Sequence, residues 1–291
     1  MSKFTLTRSR IGLFTSIIFA FLTPVLAQTR LSEPTAIAVS STINEKSTNP
    51  AVQPLDIAGY EKLVAGDPND FAAKNNLGVL YFAAGRYDEA LAIIQSAAEA
   101  LPDMWGVQLN ASIALAHQKA FADALKYAQA AYKLDPNKVR VRQQLCDMYL
   151  AAQDGASAVT CYQSLVKDPA DPQDLLGYGE ALVLTGDGTR AEPAIRSAME
   201  VLPRIAPAYN ALGMALFKQK DYKGAVESFR EAVSLMPDVP NYRFNMALAD
   251  IALRNREGAI SQYNLIKESD PKLAGKLYNM MFADKILVVG H

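Results

Sequence analysis

Soft ligands are scarce in this chain: among 291 residues there are two cysteines, Cys146 and Cys161, and two histidines, His117 and His291. That is too few for a zinc cluster of the usual kinds, and a histidine-based triad has one non-terminal candidate, His117. Basic excess is lacking too. Lys and Arg number 29 against 30 Asp and Glu, so the electrostatic footprint of a nucleic-acid binder is missing. There is no Gly-rich phosphate loop: Thr185-Gly186-Asp187-Gly188 comes nearest, and no Lys-Ser or Lys-Thr follows it. No catalytic residue, cofactor, metal or nucleic-acid partner is expected. Half the residues are hydrophobic, which excludes wholesale disorder.

The first residues form a pattern of their own. Lys3, Arg8 and Arg10 stand without an acidic residue, Ile11 to Leu22 is an apolar run, and Val25-Leu26-Ala27 precedes Gln28. This basic, apolar, small-residue order is that of a secretory signal over 1–27, cleaved after Ala27. The alternative is an uncleaved anchor, the only membrane contact expected, which Thr15, Ser16, Thr23 and Pro24 weaken. No cysteine near the cleavage point permits a lipoprotein anchor. Removing 1–27 takes three positive charges and no negative ones, moving the formal charge from −1 to −4. An exported, periplasmic protein is the expectation. Residues 28–54, rich in Ser and Thr with Pro34, Pro50 and Pro54, read as a flexible linker.

From residue 71 onward the chain repeats at an offset of 34. Leu77-Gly78, Tyr81, Ala90, Ile94, Ala97 and Pro102 recur at the same intervals as Leu212-Gly213, Leu216, Ala225, Phe229, Ala232 and Pro237. Four further copies keep this frame, with one residue missing near Pro169 to Pro172. Apolar spacings of three and four predict two amphipathic helices per copy, each pair closed by proline except in the third copy, where Ala170 takes its place. One hairpin cannot bury its apolar face alone, so stacking must stabilise the chain.

These residues resemble the tetratricopeptide repeat, with its W-x2-L-G-x2-Y, A-x3-F and P pattern. The resemblance implies an all-α, right-handed α-solenoid of about six tandem helix-turn-helix repeats over 55–283. The copies fall at 71–104, 105–138, 139–171, 172–205, 206–239 and 240–273. Asp56 to Asp67 reads as a degenerate leading helix and Lys272 to Phe282 as a closing cap helix, leaving a short apolar tail at 284–291. In the last copy Asp250 takes a place that is usually apolar or aromatic.

In the family's geometry one face of each first helix lines a concave groove. At the sixth repeat position stand Asn76, Asn110, Gln144, Gly177, Ala211 and Asn245. A carboxamide both donates to and accepts from a peptide backbone, so Asn76, Asn110, Gln144 and Asn245 are the candidate ladder for an extended chain. Phe82, Ile113, Phe217 and Leu248 are the candidate apolar pockets. The wider apolar set of Val79, Leu109, Leu150, Leu176, Val183, Met214, Phe244 and Ile251 would, if half exposed, make a patch larger than monomers leave bare. The fifth positions, Asn75, Leu109, Gln143, Leu176, Asn210 and Phe244, hold no Lys or Arg, so the basic clamp of chaperone-binding relatives is absent.

Cys146 and Cys161 sit at mirror-related distances from the turn near Asp154-Gly155. A disulfide within the third copy and two buried unpaired thiols are equally consistent with this spacing. The implied function is a non-catalytic protein-interaction scaffold or assembly factor of the cell envelope. Two alternatives are a self-assembling scaffold, hence a homo-oligomer, and an accessory subunit of an envelope enzyme or of a secretion or pilus machine.

Overall fold

The computed structural model describes residues 56–167 and 170–286. The signal segment at 1–27, the linker at 28–54 and positions 287–291 of the tail lie outside the described residues. The chain folds as a tandem helical-repeat solenoid, with fourteen helices and no strand among the described residues. α1 (Ile57–Gly66) leads. The hairpins are α2 (Phe71–Ala83) with α3 (Tyr87–Ala100), α4 (Trp105–His117) with α5 (Phe121–Leu134), and α6 (Val139–Ala151) with α7 (Gly155–Gln163). There follow α8 (Pro172–Thr185) with α9 (Gly188–Val201), α10 (Ala206–Lys218) with α11 (Tyr222–Leu235), α12 (Pro240–Ala252) with α13 (Arg256–Ser269), and last α14 (Pro271–Ile286). The closing helix takes in positions 284–286 of the expected tail. The chain divides into two compact units between Cys161 and Tyr162, within α7.

Local signals explain the helix ends. Asp70 caps α2 by accepting from Ala73 N at 2.8 Å, and Asp187 and Asp221 do the same for α9 and α11. Pro172, Pro207 and Pro240 stand in the first turns of α8, α10 and α12, where a missing N–H costs nothing.

Each turn between paired helices contains one residue with positive φ: Gly85, Lys119, Gln153, Gly186, Lys220 and Arg254. They are spaced by 34 residues, with 33 once across the deletion. A left-handed residue there lets the chain reverse, and any side chain with a Cβ is strained in that conformation. Lys119, at φ 60°, is the simplest case. Lys119→Gly is expected to stabilise the N-terminal unit by about 0.5–1 kcal/mol, the left-handed penalty less the entropy of glycine. Urea unfolding checks this, and a loss of stability would contradict it.

Inside the hairpins, small residues face large ones. A Cβ on Gly78 would lie 2.5 Å from the side chain of Ile94 and 3.3 Å from the Ala90 carbonyl oxygen. Gly179 stands in the same relation to Ile195, and Gly213 to the ring of Phe229. The large partners are fully buried. In α4 and α5 the same two positions hold Ser112 and Ala128, a larger residue with a smaller one. The interlock conserves volume, as close-packed cores require.

Candidate functional site

The carboxamides form a network between helices. In the N-terminal unit Asn110 Nδ2 donates to Asn75 Oδ1 at 2.9 Å, joining α4 to α2. Asn75 Nδ2 donates to Asn76 Oδ1, and Asn76 Nδ2 to the hydroxyl of Tyr60 on α1. Gln144, whose counterpart at the fifth position of the preceding copy is Leu109, reaches instead from α6 to Ser112 Oγ on α4 at 2.9 Å. In the C-terminal unit Asn245 Nδ2 donates to Asn210 Oδ1 at 2.8 Å, joining α12 to α10. The two Asn–Asn bridges each span 35 residues, from the sixth position of one copy to the fifth of the copy before.

This corrects the expectation of a ladder open on both its donor and acceptor sides. Asn76, Asn110 and Gln144 are buried, and Asn245 is half-buried. Asn76 both gives and accepts within the stack. Asn110, Gln144 and Asn245 commit a donor to the neighbouring helix, while their carbonyl oxygens accept nothing from the described residues. What they can offer a peptide is an acceptor for backbone N–H groups.

The apolar candidates are corrected more strongly. Phe82, Ile113 and Leu248 are buried and Phe217 is half-buried. Of the wider set only Ile251 is half-buried, the other seven being buried. The condition for a large bare patch, half of these residues exposed, is not met. Phe82 packs edge-on against Tyr87 and His117, and Phe217 edge-on against Tyr222.

His117 stacks on Tyr87 with centroids 3.8 Å apart. Its Nδ1 is buried without a hydrogen-bond partner, and burial lowers the imidazole pKa. A neutral ring in an aromatic cluster is a packing element, with neither a nucleophile nor an orienting carboxylate bonded to it. Among the described residues no group of three or more His, Cys, Asp or Glu side chains could hold a metal ion, and no helix is long and apolar enough to cross a membrane.

Cys146 and Cys161 are joined as a disulfide between α6 and α7, with Cα atoms 5.3 Å apart. Asp250 is buried in α12: Oδ1 accepts from Asn255 Nδ2 at 2.8 Å while Oδ2 has no partner. Burial raises the pKa of this carboxyl, and the bond from Asn255 opposes the shift. A Cβ on Gly258 would come 2.6 Å from Asp250 Oδ2. The polar residue at an apolar position is thus accommodated by a glycine opposite it.

Two features escaped the sequence reading. The acceptors of the Asn bridges, Asn75 and Asn210, were visible as carboxamides at the fifth position, one copy before a carboxamide at the sixth. The left-handed turn residues were announced by Gly85 and Gly186 in a common frame.

Two family models described as tetratricopeptide repeat match residues 57–108 and 206–239. The fold is similar to a chain of the APC/C hetero-tetramer Cut9-Hcn1, with TM-score 0.64 and 17% identity over 84% of this chain and 51% of that one. This chain therefore spans about half the length of that relative. A tetratricopeptide repeat protein from Parabacteroides merdae gives TM-score 0.62 at 14% identity, over 78% of this chain and 91% of that one. PilW, described as a widely conserved type IV pilus biogenesis factor, gives 0.60 at 16% identity, over 72% and 99%. No curated protein matches the chain. Identities this low speak to the fold alone.

Proposed function

The chain is a tetratricopeptide-repeat protein, and on that premise we propose that it is a non-catalytic scaffold of the cell envelope that holds a segment of another protein against its first helices. The repeat is generally a protein-interaction fold, and a solenoid brings only neighbouring repeats together, which disfavours a convergent catalytic site. The observation that carries the reading is the set of uncommitted carbonyl oxygens on Asn110, Gln144 and Asn245. They recur on successive first helices in α4 and α6, and again on α12, fixed in place because each side chain is anchored through its nitrogen. Preorganised acceptors of this kind suit the N–H groups of an extended segment without reading its sequence. Phe82, Ile113, Phe217 and Leu248 lie on the first helices α2, α4, α10 and α12, and Phe217, the least buried, supplies the apolar contact. The export pattern at 1–27 supports the envelope as the location.

The test is a photo-crosslinking amino acid placed in the full chain, in its own host, at Phe217 on α10 or at exposed Glu231 on α11. An adduct to another envelope protein from position 217 and none from 231 is expected. Adducts from 231 alone, or from neither position, would overturn the reading.

A further inference from the structure

The turns of the C-terminal unit carry side chains that chain reversal does not require. Gly186 shows that the left-handed position accepts glycine, yet the next two copies hold Lys220 at φ 69° and Arg254 at φ 62°. Lys119 and Gln153 are left-handed at the same place in the N-terminal unit, so what distinguishes these two turns is the charge gathered on them. Each is accompanied by a second cation, Lys223 and Arg256, and all four residues are exposed.

No ion pair engages these four cations among the described residues. The acidic residues of the same turns are Asp221 and Glu257, and Asp221 Oδ1 already accepts from Gly224 N at 3.0 Å. Arg256 lies over the ring of Phe282 at 5.4 Å, which leaves its guanidinium edge available.

The turns are held in register. Gln219 Nε2 bonds the Gly188 carbonyl oxygen at 3.1 Å and Glu192 Oε2 at 2.8 Å, tying the α10–α11 turn to α9. A Cβ on Gly188 would clash with the Ala215 carbonyl oxygen, so the contact is backbone to backbone. The Asn245–Asn210 bridge then sets α12 directly beside α10.

We propose that this turn edge, with Lys220 and Arg254 at its centre, binds an acidic extended polypeptide segment. Packed helices stand about 8–10 Å apart and an extended chain rises about 3.3 Å per residue. Side chains of an extended chain alternate faces, so cations on adjacent turns match carboxylates two residues apart, about 6.6 Å, with the flexible Lys and Arg side chains closing the difference. Four cations on a chain of formal charge −1 make a local patch rather than the broad field that a nucleic acid or a lipid surface would need. The edge is separate from the first-helix face, so its failure would leave the scaffold reading untouched.

The experiment uses the full chain and a fluorescein-labelled peptide of about seven residues with Glu at every second position, followed by anisotropy at low ionic strength. The double variant Lys220→Gly, Arg254→Gly removes two charges and two strained backbones together. Peptide affinity should fall about five- to tenfold while resistance to urea rises. Unchanged affinity would overturn the proposal, as would tighter binding to single-stranded DNA or to phosphatidylglycerol vesicles than to the peptide.

Discussion

Phe229→Ala is expected to destabilise the C-terminal unit by about 3–5 kcal/mol, the range for deleting a fully buried aromatic ring. The ring is 0% exposed, and a Cβ on the facing Gly213 would meet it at 2.6 Å. The two positions are complementary in shape, so their substitutions should not add. Gly213→Ala alone overfills the contact and should cost about 1–3 kcal/mol. With the ring gone, the same added methyl group has space and partly fills the cavity. A double-mutant cycle followed by urea unfolding should return a coupling of about 1 kcal/mol or more. The pairing of Ser112 with Ala128 shows the chain using the swapped arrangement in another hairpin. Additive losses would mean that ring and glycine are energetically independent and that the interlock is absent.

Removing the disulfide should have the next largest effect. Cys146 and Cys161 are 15 residues apart, and closing a loop of that length contributes about 3 kcal/mol in the chain-entropy picture. The bond sits in the hairpin with the shortest second helix. α7 has nine residues, whereas the second helices of the other hairpins have 14. A second helix shortened by more than a turn has less apolar surface with which to hold its partner, and the covalent link offsets that loss. Cys146→Ala with Cys161→Ala should lower stability in urea by about 3 kcal/mol. A reductant should produce the same fall in the wild type and leave the double variant unmoved. Equal stability of oxidised and reduced wild type would contradict the argument.

The repeat frame made the fold legible, because a period of 34 residues with proline after each second helix except that of the third copy is set by local chemistry within each copy. The carboxamides were legible only as residue types. Which atom of Asn110 is used depends on Asn75 in the preceding copy, and a reading made copy by copy does not see that partner. The apolar set failed for a related reason. Helical spacing shows that Val79, Leu150 and Leu176 share a helix face, but it does not distinguish a face open to solvent from one covered by the next layer. Cysteine spacing was symmetric about the turn, yet symmetry alone leaves the thiols paired or free until the helices are placed. The short α7 had a sequence signal in the residue missing near Pro169 to Pro172, whose consequence for helix length emerges only in three dimensions.

The bridges between first helices also act as keys to the order of the modules. Asn110 fits Asn75 and Asn245 fits Asn210, but Gln144 fits only a hydroxyl at the place of Ser112. Exchange the second and third copies, and Gln144 would follow a copy that offers it Gly78 in place of that hydroxyl, while Asn110 would face Gln143 where it now meets Asn75. A mispaired carboxamide under a layer of helices is penalised by its lost hydrogen bond. Modules that look interchangeable by their 34-residue frame are therefore addressed where a bridge is present, the second, third and sixth copies each recognising the one before it.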